Sequence, residues 1–79
     1  MSIGIGMLWF DNEPKSSLAE KVNRAAEYYK NKYGKSPNKC YINPKAREKK
    51  HKGIINGIKI FTSPTILPNH IWIGREVQA

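Results

Sequence analysis

At 79 residues the chain has room for a single domain, spanning 1–79, whose core is small because a chain of this size buries only about 60% of its unfolded surface. Hydrophobic residues at 39% and charged ones at 25% exclude a disordered tail. Fourteen Lys and Arg against six Asp and Glu give a formal charge of +8, an excess that draws polyanions such as nucleic acid, although a lysine-rich proteome would produce the same excess without any such partner.

The apolar opening "IGIGMLWF" has no positive flank and no cleavage site after it, and no stretch reaches the ~20 apolar residues of a membrane span. A cytoplasmic protein with no membrane partner is expected. The single cysteine, Cys40, allows no internal disulfide and suits a reducing compartment.

In chain order, "MLWFDNEP" predicts a strand stopped by the turn formers Asp11, Asn12 and Pro14. Ser17 and Glu20 then form a capping box. Leu18, Val22, Ala25, Ala26, Tyr29 and Tyr33 recur at the spacing of one helical face, which predicts a helix over 17–33. Gly34 ends it in a left-handed conformation and Pro37 prevents a restart.

The second half changes period. "KCYIN" sets Cys40 and Ile42 against Tyr41, "GIKIFT" sets Ile58 and Ile60 against Lys59 and Phe61, and "HIWIG" sets Ile71 and Ile73 against His70 and Trp72. Between the first two lies "NPKAREKKHKGIING", read as a loop or frayed helix with a dense run of basic residues. The two prolines of "SPTILP" predict an irregular arch before the last strand.

These elements assemble into an α+β two-layer sandwich, one helix on a three- or four-stranded sheet. If Leu8, Cys40, Ile42, Ile58, Ile60, Ile71 and Ile73 meet the helix, the other face carries Trp9, Tyr41, Lys59, Phe61, His70 and Trp72. Rings standing among lysines let unpaired bases stack while cations hold phosphates. The competing expectation is that the same rings form a second core beneath segment 44–56 or a homodimer interface.

Catalytic and metal chemistry finds little support in the spacing. Cys40 and His70 fall on opposite faces by alternation, Asp11, Glu13 and His70 could gather a divalent metal only at a sheet edge, and His51 sits in a solvated loop. The "GIG" near the start lacks the lysine and following helix of a phosphate loop. No cofactor, no metal and no catalytic residue is expected.

The stretches "MLWFDNEPKSSL", "AAEYYKNKYGKSPNKCYINP" and "ILPNHIWIG" together resemble a group of small prokaryotic proteins that share a Trp-Phe-Asp start, a Tyr-Gly-x-x-Pro-Asn helix exit and a Leu-Pro-x-His-x-Trp-Ile-Gly close. That group carries no assigned activity. "INGIKIFTSPTILPNHIWIG" is also similar to the closing strands of tailed-phage coat proteins, which implies a mobile-element context, although the chain is too short for a coat subunit.

The expected function is therefore a noncatalytic basic binding module for nucleic acid, single-stranded in preference to duplex. Lys45, Arg47, Lys49, Lys50, Lys52 and Lys59 would contact phosphates, and Tyr41, Phe61, His70 and Trp72 would supply the aromatic platform. The alternative is a homodimeric protein-interaction module whose aromatic face is buried between subunits.

Overall fold

A computed structural model describes residues 2–46 and 53–77. Strand β1 (Ser2–Phe10) leads through a turn into helix α1 (Leu18–Tyr33), followed by strands β2 (Lys39–Ile42), β3 (Ile54–Ile55), β4 (Ile58–Thr62) and β5 (His70–Val77). The sheet order is β1-β5-β2-β4-β3, with β2 and β4 parallel and the other pairs antiparallel. The class is α+β, with one helix packed against a five-stranded mixed sheet.

Helix α1 begins and ends where its local chemistry dictates. Ser17 Oγ accepts the Glu20 N–H at 3.2 Å, while Glu20 Oε1 accepts the Ser17 N–H at 3.0 Å. Two orphan donors are thereby satisfied. Those bonds also hold the Glu20 carboxyl below its usual range, the backbone bond from Ser17 contributing most. At the other end Gly34 adopts φ 77° and donates its N–H to the Lys30 carbonyl at 2.8 Å.

The inner stripe of the helix, Leu18, Val22, Ala25 and Tyr29, packs on Cys40, Ile42, Ile55, Ile58, Ile71 and Ile73. Met7, Trp9, Ala26, Tyr33 and Ile60 close its margins. The alternation predicted for β2, β4 and β5 therefore holds.

Three expectations need correction. The sheet has five strands, not three or four, because Ile54 and Ile55 pair with Lys59 and Ile58 as a short hairpin. Its turn is Asn56-Gly57, at φ 49° and 79°. Two successive positive φ values are what a tight hairpin with right-handed twist requires, and Asn-Gly is the pair best able to supply them. The basic segment is thus neither wholly loop nor frayed helix. A 3₁₀ turn spans Pro44–Ala46, the hairpin follows at its far end, and residues 47–52 lie outside the described residues.

The third correction concerns β1. Its register with β5 sets Met7 opposite Ile73, Leu8 opposite Trp72 and Trp9 opposite Ile71. Cross-strand partners share a face, so Trp9 lies on the helix side and Leu8 on the other, the reverse of the expectation. All four residues of "MLWF" are apolar, so alternation gave no polar marker of phase; pairing with β5 decides it. Trp9 there packs on Tyr28, ring centroids 5.3 Å apart. Leu8 is 61% exposed.

The prolines predict an irregular arch between β4 and β5, and the strand order carries that connection past β2, which lies between them. It closes with Leu67-Pro68-Asn69-His70, in which the His70 N–H reaches the Leu67 carbonyl at 3.1 Å and Asn69 takes φ 65°. Proline second and a positive-φ residue third is the signature of a type II turn, and asparagine is the non-glycine residue that tolerates it.

Candidate nucleic-acid interface

The face of the sheet away from α1 is built from two cross-strand rows. One runs Leu8, Trp72, Tyr41, Phe61 from β1 through β5 and β2 to β4. The adjacent row runs Gly6, Gly74, Lys39, Lys59, Ile54. Residues two apart on a strand stand about 7 Å from each other, so the lysines flank the rings at side-chain reach.

The rings touch in sequence. Trp72 meets Tyr41 edge-on at 5.8 Å between centroids, and Tyr41 meets Phe61 at 5.5 Å and 32°. At the other corner Phe10 and His70 pack at 5.0 Å. The His70 Nδ1 lies 2.9 Å from the Pro68 carbonyl, an acceptor, so Nδ1 carries the proton there.

Lys39 is only 3% exposed, and its Nζ sits 4.9 Å from the Phe61 centroid and 5.3 Å from that of Tyr41. An ammonium held over two rings is attracted by their quadrupoles, by about 1 kcal/mol or more where water is displaced. Lys59, on the neighbouring strand, is exposed.

Gly6 has a specific role in this surface. A Cβ placed there would lie 2.6 Å from Trp72 Cε2 and Cη2 and overlap the ring, so the indole lies across β1 where only glycine leaves room. A glycine inside a strand often marks such a close approach.

Of the predicted site residues, the structure brings Tyr41, Lys59, Phe61, His70 and Trp72 onto one face. Lys45 is apart from it, exposed in the 3₁₀ turn after β2, with its N–H bonded to Asn43 Oδ1 at 2.9 Å. Arg47, Lys49, Lys50 and Lys52 lie outside the described residues, as does His51. Sequence reasoning missed Lys39, Leu8, Phe10, Ile54 and Gly6. Lys39 was within reach, since it is two residues before Tyr41 in the same strand; Leu8 and Phe10 were hidden by the unresolved phase of β1.

The other ionisable candidates have structural partners. Cys40 is buried on the helix side, where loss of water pushes its thiol up to about 12. Asp11 Oδ2 pairs with Arg24 Nη2 at 2.7 Å and with Arg24 Nε at 2.9 Å, and Oδ1 accepts the Glu13 N–H at 3.2 Å. Burial raises the Asp11 pKa, but the Arg24 hydrogen bond, the Glu13 N–H, the adjacent Trp9 indole and the Arg24 charge outweigh it, and the net direction is down. The Trp9 Nε1–H is buried beside this pair without a well-formed hydrogen bond. Among the described residues no group of His, Cys, Asp or Glu could hold a metal ion, and no helix is long and apolar enough to cross a membrane.

No protein-family model, curated protein or solved structure matches the chain.

Proposed function

We infer that the open sheet face binds single-stranded nucleic acid, with bases stacked on Trp72, Tyr41 and Phe61, phosphates held by Lys59 and the basic segment 45–52, and buried Lys39 fixing the Tyr41 and Phe61 rings from beside them. The observation that carries this reading is the ring row at 5.5–5.8 Å steps standing beside Lys39 and exposed Lys59 on the side of the sheet away from α1, with Phe61 itself exposed. Stacking on aromatic rings is worth about 1 to 3 kcal/mol per base and needs unpaired bases, which favours a single strand over a duplex. The overall +8 charge supports capture of a polyanion. A cytoplasmic location and a mobile-element context belong to the same reading, the first resting on the lone buried cysteine and the second on the resemblance of the closing stretch 55–74 alone.

Titration of a fluorescent oligonucleotide at several salt concentrations tests it. Affinity falls with salt at a log-log slope of about −0.7 per phosphate neutralised, and Phe61→Ala weakens binding by about 1 to 3 kcal/mol without loss of fold. Absence of binding at low salt rejects the reading.

A second reading is favoured by the exposed apolar members of the face outside the ring row. Leu8 at 61%, Phe10 at 56% and Ile54 at 56% exposure make a surface apt for a protein, such as a second copy laid face to face. In that case Trp72→Ala would dissociate a dimer instead of weakening oligonucleotide binding.

A further inference from the structure

We propose that the outer edge of β1 pairs with β1 of a second copy about a two-fold axis centred on Leu8, joining two sheets into one. The edge is open by topology: β1 ends the strand order, and its described partner is β5 alone. It is also undefended by sequence. Long edge strands are usually blunted by a charge or a proline, and Ser2–Phe10 contains neither. The opposite edge, β3, is two residues long and offers little to pair with.

Which backbone groups face outward follows from the ladder. The Asp11 N–H donates to the Asn69 carbonyl at 2.9 Å, just beyond the Phe10–His70 pair. Phe10 is therefore a non-hydrogen-bonded position toward β5, as are Leu8 and Gly6 by alternation, and the N–H and C=O of these three point away from the sheet. The register shifts between Ile3 and Ile5, so this regular outward row stops at Gly6.

Antiparallel pairing must place open-face residues against open-face residues, and one two-fold register uses all three outward positions. Leu8 pairs with Leu8 of the second copy, and Gly6 with its Phe10. Each pair then exchanges both N–H···O bonds. Phe10 meets a glycine over which the Trp72 ring lies, so the largest exposed aromatic side chain of the edge falls against an aromatic ring and not against a second bulky strand residue. Leu8 is covered by its own symmetry mate.

The charge pattern is compatible with self-association at this place. The two molecules repel through their net +8, yet the meeting strands carry no charged residue, so added salt strengthens the dimer. Binding of nucleic acid weakens with salt, which separates the two. The axis is perpendicular to the sheet, so both helices lie on one side and both aromatic faces on the other, still open.

The experiment is sedimentation of the full chain without nucleic acid, with Leu8→Lys, Leu8→Cys, Phe10→Cys and Trp72→Ala beside the wild type. Wild type is expected to show a concentration-dependent monomer–dimer equilibrium. Leu8→Lys sets like charges across the axis and raises the dissociation constant at least about tenfold, with circular dichroism unchanged because Leu8 is exposed. Mild oxidation cross-links Leu8→Cys to itself, since directly opposed Cα atoms about 5.5 Å apart suit a disulfide. Phe10→Cys faces a glycine and stays uncross-linked, and buried Cys40 is silent in both. A wild type monomeric up to millimolar concentration overturns the proposal. So does a dimer that survives Leu8→Lys but dissociates in Trp72→Ala, or one in which Leu8→Cys fails to cross-link. None of these results bears on oligonucleotide titration, so the two readings fail separately.

Discussion

The two faces of the sheet are made by the same strands and have opposite characters. On the helix side, Cys40, Ile42 and Ile73 lose all contact with water beneath Val22, Ala25 and Tyr29. The environment there is dry enough to push the only thiol to about 12. On the far side Trp72, Tyr41 and Phe61 lean on one another and on Lys39, and the partial burial they achieve comes from ring contacts within the face. One face is stabilised by exclusion of water; the other is organised but remains accessible. An accessible row of flat rings needs a partner that can use it, and that contrast underlies the functional reading.

The strongest way to break the comparison is to charge each face in turn. Val22→Asp places a carboxylate at a fully buried position with no partner, and a loss of more than about 4 kcal/mol is expected, enough to unfold a domain of ordinary stability. Phe61→Asp on the open face leaves a cooperative transition. Chemical denaturation of both proteins measures the difference, and comparable losses would mean that the open face is core after all. Truncation gives the same contrast on a smaller scale. Ile73→Ala opens a cavity and costs about 2 to 5 kcal/mol, whereas Phe61→Ala costs within about 1 kcal/mol.

How much of this was legible depends on whether polar residues marked the phase. In β2, β4 and β5 a lysine, tyrosine or histidine alternates with isoleucine or cysteine, so the faces could be read directly. The helix was legible to within a residue because capping box, stripe and terminal glycine agree. In β1 nothing polar interrupts "MLWF", and only the long-range pairing with Ile71, Trp72 and Ile73 sets the phase. The β3–β4 hairpin carried a readable Asn-Gly signal, but a two-residue strand has too little alternation to be recognised by period. The site was legible in its rings and not in its glycine. Gly6 matters for the space it leaves to a residue 66 positions away, which local pattern does not contain.

That glycine sharpens the comparison further. Gly6→Ala adds a methyl group where the Trp72 ring lies, so the indole must lift from β1 or the strands must shift. The ring is the far end of a side chain on an open face, and a cost of about 1 kcal/mol is expected, at the low end for overpacking. With Trp9→Phe as background, Trp72 emission shifts to the red and becomes more quenchable as the ring is freed. Unchanged emission with a large loss of stability would show that the ring is held as firmly as the core.

The smallest effect expected joins the end of β1 to the helix side. Asp11 is held below its usual pKa, net of a burial contribution that acts the other way, chiefly by the hydrogen bond from Arg24. A carboxyl with a lowered folded-state pKa binds fewer protons in the folded state than in the unfolded state over the interval between the two values. Its stabilisation is therefore complete above the ordinary carboxyl range and is lost as pH falls through the folded pKa. The Arg24 side chain is 42% exposed although that of Asp11 is only 9% exposed, so water screens the pair from one side and it is worth about 1 kcal/mol. Denaturation of wild type and Asp11→Asn between pH 7 and pH 2 isolates it from Glu20, which shifts in the same direction but is present in both proteins. The stability gap should be constant near neutrality and close in acid. A gap that widens in acid would reverse the assigned sign, and no gap at any pH would leave the Trp9–Tyr28 contact to fix the end of β1 without the ion pair.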